Sequence, residues 1–277
     1  MNNVKFYKNS LAIHYIYSNF GSMTTNTDSK LKKLFENHVP GSVLLASWLD
    51  KNGFSHDLQK YYRRSGWLES MGVGAFKMSK ETVNWQGGLF ALQSQAKLPV
   101  HVGGLTALSL QGYAHYFRFD KETVYLFSQA QIKLPAWFRN YKWENLIKHI
   151  QTSILPPEIG LMVFEDKNLS IQIATPERAI LECLYLTPNN LDIMECYQIF
   201  EGLTNIRPKL MQQLLEACSS VKVKRLFLYM AHKAQHQWLS FMELSAISLG
   251  QGDRSLVKGG VYIAQFQISV PKELASL

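Results

Sequence analysis

The sequence predicts an α+β protein, an N-terminal winged helix-turn-helix followed by a larger mixed α/β domain with a small sheet and a helical final third. Three observations predict it. Three short helical segments between residues 30 and 66 run directly into a glycine-centred hairpin, strand-like runs then alternate with helical ones, and the last third is mainly helical.

The start, MNNVKFYKNSLAIHYIYSNFGS, is too polar and broken for a secretion signal, and a second methionine, Met23, opens the polar run MTTNTDSK. Residues 1–28 therefore read as a flexible leader, with no functional residue expected before Ser29. Leu31, Leu34, Phe35 and Val39 then recur at helical spacing up to Pro40-Gly41. Ser42 is placed to cap a second helix carrying Val43, Leu44, Leu45, Trp48 and Leu49, which Lys51-Asn52-Gly53 would end. Ser55 is placed to cap a third, ending near Gly66. Trp67–Ser70 and Ala75–Met78 read as two strands, joined by Met71-Gly72-Val73-Gly74.

A helix from about Asn84 to Lys97 completes the first domain or links it to the next, and the change of pattern puts a boundary at 97/98. The second domain, 98–277, offers strands TVYLF (from Thr123), LMVF (from Leu161) and LSIQIA (from Leu169). Segments GGLTALSLQG and PAWFRNYKW lie between them as helix or loop. Thr175-Pro176-Glu177-Arg178 joins a capping hydroxyl, a first-turn proline and an acid at a helix start. Two further helices, RPKLMQQLLEAC and VKVKRLFLYMAHKA, and a last strand, VYIAQFQISV, follow.

Apolar residues at 47% and charged ones at 18% suit buried cores and argue against a disordered chain. The net charge of +8 favours polyanionic partners. Cys183, Cys196 and Cys218 are odd in number and form no Cys-x-x-Cys pair, which disfavours a disulfide framework or thiolate zinc site and suits a reducing, cytoplasmic setting. No apolar run is long enough to cross a bilayer, so no membrane partner is expected.

Charge concentrates at the third helix. From Lys30 to Lys80, nine Lys or Arg stand against four Asp or Glu, a balance of +5. In SHDLQKYYRRSG, helical spacing places Leu58, Tyr61, Tyr62 and Ser65 on one face and His56, Gln59, Lys60 and Arg63 on another. Arg63 and Gln59 have the donors to read guanine and adenine edges, Lys60 and Arg64 suit phosphates, and His56 can approach either. Lys77 and Lys80, on and just beyond the hairpin, suit a phosphate or the minor groove. Trp67 and Phe76 read as core. A solvated helix face explains the same residues one by one; their coincidence with helix order and hairpin favours DNA. A second basic region, Arg207, Lys209, Lys222, Lys224, Arg225 and Lys233 against Glu216 alone, is read as a solvated surface or as a further contact to nucleic acid or an acidic protein.

No catalytic constellation emerges. His232 and His236 lack the glutamate of a hydrolytic metal helix, and His101 and His115 form no ligand spacing with them. Gly103-Gly104 lacks the Gly-Lys-Ser/Thr of a phosphate loop, and Glu165-Asp166 is at most a loose nuclease signal. The expectation is a protein without cofactor, metal or catalysis.

The blocks PGSVLLASWLDKNGFSHDLQKYYRRSGWLESMGVGAFK, LPVHVGGLTALSLQGYAHYF, TPERAILECLYL, RPKLMQQLLEACSSVKVKRLFLYMAHKAQHQW and SLGQGDRSLVKGGVYIAQFQISVP occur in that order over residues 30–272. Together they resemble the AbiEi family, transcriptional-regulator antitoxins of bacterial abortive-infection, type IV toxin–antitoxin systems. The resemblance implies a winged helix that binds inverted repeats in its own promoter, and an antidote to a nucleotidyltransferase-like toxin that needs no stable complex with it. Carried over, Gln59, Lys60, Arg63, Arg64 and Lys77 would contact promoter DNA. The C-terminal domain, with Lys222, Lys224 and Arg225, would serve antitoxin activity. The alternative is a protein-interaction module that inhibits a toxin directly and keeps its winged domain as scaffold.

Overall fold

The computed structural model describes residues 25–113 and 123–276; side chains are described from Ser29. Contacts gather the chain into two units that divide between Val39 and Pro40. The first holds helix α1 (Thr25–Asn37), which starts inside the segment read as leader. Lys32 and Glu36 pair across one of its turns at 3.9 Å.

The second unit opens with strand β1 (Leu44–Leu45), helix α2 (Ala46–Lys51), helix α3 (His56–Arg64) and the hairpin β2 (Leu68–Gly72) and β3 (Ala75–Met78). With α1 ahead of them in the chain, these elements follow the order of a winged helix-turn-helix. The structure corrects the start of α2. Ser42 is buried and caps nothing, Leu44 and Leu45 pair with Phe76 and Ala75 as a third strand of the wing sheet, and the helix begins only at Ala46. Two adjacent leucines can satisfy their backbone on a neighbouring strand as well as in a helix, and here β3 offers its free edge.

Helix α4 (Trp85–Ser94) is capped by Asn84, whose side chain accepts from the Gly87 amide at 3.1 Å. It packs on a five-stranded mixed sheet of β4 (Val100–Val102), β5 (Thr123–Ser128), β6 (Leu146–Gln151), β7 (Leu161–Asp166) and β8 (Leu169–Ala174) in the order β6-β5-β4-β8-β7. β4, central and three residues long, runs parallel to β8 and antiparallel to β5. Helix α5 (Gly104–Leu110) follows β4, and α6 (Ala136–Asn140) lies between β5 and β6. β4 and β6 lie outside the strands expected from the sequence.

The helical final third comprises α7 (Pro176–Leu186), α8 (Ile193–Glu201), α9 (Pro208–Ala217) and α10 (Val221–Lys233). α7 touches all three of the others as well as α5 and β8, and nine of its eleven residues are buried, including three charged ones. Its start departs from expectation, since the Thr175 side chain makes no cap hydrogen bond; Pro176 and Glu177 alone mark it. VYIAQFQISV is two strands, not one. β10 (Val261–Ile263) and β11 (Ile268–Val270) pair antiparallel around a turn in which Gln267 takes a left-handed conformation, φ 49°, and β9 (Arg254–Ser255) adds to β11 in parallel. A last helix, α11, spans Lys272–Ser276.

Candidate nucleic-acid interface

The geometry of α3 is fixed at both ends. Ser55 accepts a 3.5 Å hydrogen bond from the Leu58 amide, Asp57 lies in the first turn, and Arg63 and Arg64 lie in the last, each complementing the helix dipole. The turn from α2 closes through Asn52, whose side-chain amide donates to Trp48 O at 2.8 Å, and Gly53, whose φ of +88° favours glycine.

Gln59 faces inward, which corrects its expected role in base reading. Only 3% exposed, it donates from Nε2 to Phe54 O at 2.7 Å and to Ala46 O at 3.1 Å. It stands three residues before the buried Tyr62, on the border of the apolar stripe, where its amide reaches one carbonyl in the first turn of α2 and one just ahead of α3. The same bonds lock α3 against the start of α2, so Gln59 aims the helix without touching a ligand.

His56, Lys60, Arg63 and Arg64 are exposed, and none is ion-paired among the described residues. Tyr61, placed on the inner face by spacing, is 40% exposed and joins them, while Tyr62 alone of the two tyrosines is buried. The Arg63 guanidinium lies 5.4 Å from the centre of the Phe76 ring, which braces it against the hairpin and leaves its remaining edge to solvent.

The hairpin pairs Leu68 with Met78, Glu69 with Lys77 and Ser70 with Phe76, then bulges so that Gly72 meets Ala75. Phe76 is core as expected and Trp67 is half-buried. Lys77 is not free to reach a phosphate. Its Nζ lies 2.7 Å from Glu69 and 2.9 Å from Glu81 O, with its side chain 18% exposed. That contact, with hydrogen bonds from Ser79 and the Lys80 amide, holds the Glu69 carboxyl below its ordinary range. Lys80, in a left-handed conformation at φ 67°, is exposed. The wing tip carries Val73, 93% exposed, a residue that nothing in the charge pattern singles out.

The second basic region does not form one surface. Arg225 is fully buried and Lys224 nearly so. All five Arg225 donors are engaged: Nε with Leu249 O, Nη1 with Gly252 O and Gln267 O, and Nη2 with Gly250 O and Gln267 Oε1. Lys224 donates to Ser248 O at 3.1 Å. Lys222 donates to Tyr185 O and Thr187 O over the Tyr185 ring, and burial pulls its ammonium below the ordinary lysine value. Arg207 is outward but held bidentately by the buried Glu177. Lys209 alone of these five is exposed and unpaired among the described residues. Lys222, Lys224 and Arg225 thus stitch the helical third together, because backbone carbonyls lie within their reach.

The other candidates are scattered. His101 bonds Glu182, His236 bonds Phe200 O and stacks on Trp238, and His115 lies outside the described residues. Asp166, at the end of an edge strand, accepts from Gln86. Among the described residues no three His, Cys, Asp or Glu side chains gather as for a metal ion, and no helix is long and apolar enough to cross a membrane.

An outward basic helix beside a three-stranded wing defines a winged-helix protein of the nucleic-acid-binding kind. The family models agree. "Transcriptional regulator, AbiEi antitoxin N-terminal domain" matches residues 27–119, and "Transcriptional regulator, AbiEi antitoxin, Type IV TA system" matches residues 121–271. The chain belongs to this AbiEi family of transcriptional-regulator antitoxins. The crystal structure of the RV2827C protein from Mycobacterium tuberculosis superposes with a TM-score of 0.58 over 89% of this chain and 92% of that one, at 13% identity, and so shares the fold. Among curated proteins, none matches.

Proposed function

We propose that this chain represses the operon encoding it and its toxin by placing α3 in the major groove of inverted repeats in the promoter. Residues 29–97 do the reading and residues 98–277 carry the antitoxin activity. The toxin it counters is nucleotidyltransferase-like, and no stable complex with it is required. Arg63 reads a base edge, Lys60, Arg64 and Lys80 hold phosphates, and His56 contacts either at the first turn. Val73 at the wing tip approaches the neighbouring groove.

The observation that supports this reading is the unpaired, outward set His56, Lys60, Arg63 and Arg64 on one rigidly held helix. Fluorescence anisotropy on the upstream promoter and on an unrelated duplex, at matched salt, tests it. Arg63→Ala weakens promoter binding by about tenfold or more and the unrelated duplex less. Lys60→Ala and Arg64→Ala weaken both and lower the salt slope by about one each. Variants that bind both duplexes like the parent would refute the assignment of α3.

A further inference from the structure

A cavity of about 390 Å³ lies at one end of the five-stranded sheet, lined by β4, β5, β7, β8, the loop after β6 and α7. Phe127, Leu155 and Leu161 give it apolar walls, and buried polar side chains line it as well, with Arg178 4%, Glu182 1% and His101 5% exposed. Buried charges are costly to keep where packing alone is served, and apolar side chains of similar volume would hold these elements at least as well.

Glu182 is saturated. Its Oε1 takes Arg178 Nε and His101 Nε2, each at 2.8 Å, and its Oε2 takes the Gly104 amide at 2.9 Å. It serves to fix the other two side chains. Arg178 spends both Nη1 hydrogens on Pro156 O at 2.6 Å and Ile159 O at 2.7 Å, while Nη2, with two donors, makes no hydrogen bond among the described residues. A guanidinium held at Nε and Nη1 with Nη2 unbonded, lining an apolar-walled cavity of metabolite size, suits one oxyanion on an apolar body.

The cavity wall is tied to the reading head through one helix. Gln93 of α4 donates to Val100 O and Gln172 O and accepts from the Gln172 amide, and Val100 and Gln172 both line the cavity. Two residues on, Gln95 donates to Val43 O at 2.7 Å and accepts from the Leu45 amide at 2.8 Å, holding the strand that enters α2. A ligand that shifts β4 against β8 moves Gln93, and with it Gln95 and the wing sheet.

We propose that this cavity is an effector site for a small metabolite with an apolar body and one carboxylate or phosphate, bound by Arg178 Nη2 and changing promoter affinity through Gln93 and Gln95. The regulation rests on the DNA-binding reading of α3; the ligand site does not. The probes are benzoate and phenyl phosphate, with benzamide as the uncharged counterpart. In calorimetry on the full chain, one of the anions binds saturably with a Kd of about 1 mM or below, which also tells carboxylate from phosphate, and benzamide binds about tenfold weaker or not at all. Met162→Trp, at the half-open rim, and Arg178→Lys each lower that affinity about tenfold, with folding verified by circular dichroism. Saturating anion changes the promoter Kd about fivefold, and Gln93→Leu abolishes the change while the anion still binds.

Absence of binding by both anions, or binding indifferent to both cavity variants, overturns the site. Anion binding with an unchanged promoter Kd overturns the effector role. Anion binding by a chain that binds no promoter under any condition overturns that role through the repressor reading, and leaves the calorimetric result on the cavity standing apart from it.

Discussion

Two basic stretches, QKYYRR on α3 and VKVKR on α10, look alike in the sequence and meet opposite fates. On α3, Lys60, Arg63 and Arg64 stand in solvent. On α10, Arg225 gives every donor to carbonyls and a side-chain oxygen, and Lys224 follows it inward. The difference lies in the partner. The loop Ser248–Asp253 turns through Gly250 and Gly252 at φ of 63° and 70°, and Leu249, Gly250 and Gly252 direct carbonyls at a single guanidinium. A cation that meets loop carbonyls becomes structure, whereas one that meets water remains available to a ligand.

The sharpest way to break this comparison is to remove the buried cation. Arg225→Leu takes the Arg225 donors from Leu249 O, Gly250 O, Gly252 O and Gln267 Oε1, leaves Gln267 O with the Arg254 amide alone, and destabilises the chain by about 3 kcal/mol or more, while Arg64→Ala changes stability by less than about 0.5 kcal/mol. Urea titration compares the two, and equal midpoints would end the distinction. Next in size is Gln59→Leu, which removes both hydrogen bonds from Gln59 to Ala46 O and Phe54 O at a cost of about 1–3 kcal/mol and loosens α3, so promoter binding falls although no contact to DNA has been deleted.

The smallest effect concerns acid. Burial pushes the Glu177 carboxyl up, but the Arg207 side-chain and backbone hydrogen bonds outweigh it, leaving the folded-state pKa below the ordinary 4.5. This contribution is therefore complete above about pH 4.5 and fades as pH falls through the lowered value. Arg207→Ala lowers the urea midpoint at neutral pH, and the gap from the parent narrows as the solution is acidified; a gap that widened in acid would reverse the sign.

Much of the fold is written locally. α3 is marked by Ser55 and its periodicity, the hairpin by Gly72 and Gly74, and α7 by Pro176 and Glu177. α8 lies outside the helices expected from the sequence, although its start is capped by Asp192, which accepts from both the Met194 and Glu195 amides. What local pattern cannot carry is pairing at a distance. β4 has three residues and pairs with a strand some seventy positions on, and the split of VYIAQFQISV depends on a left-handed glutamine, Gln267, where turn chemistry would put glycine. In the site, the outward His56, Lys60 and Arg63 were readable from spacing. The inward turn of Gln59, the capture of Lys77 by Glu69, and the joining of His101, Arg178 and Glu182 needed the chain to be folded.

The back of the wing rests on the sheet domain. A Cβ on Gly72 would come within 2.9 Å of the Trp137 Cβ, so β2 and α6 touch backbone to side chain with no room for adjustment. A reading head excised from this chain, or grafted onto another scaffold, would leave that indole behind and with it the surface that sets the angle of the hairpin. Part of what orients the hairpin therefore lies more than sixty residues further along the chain.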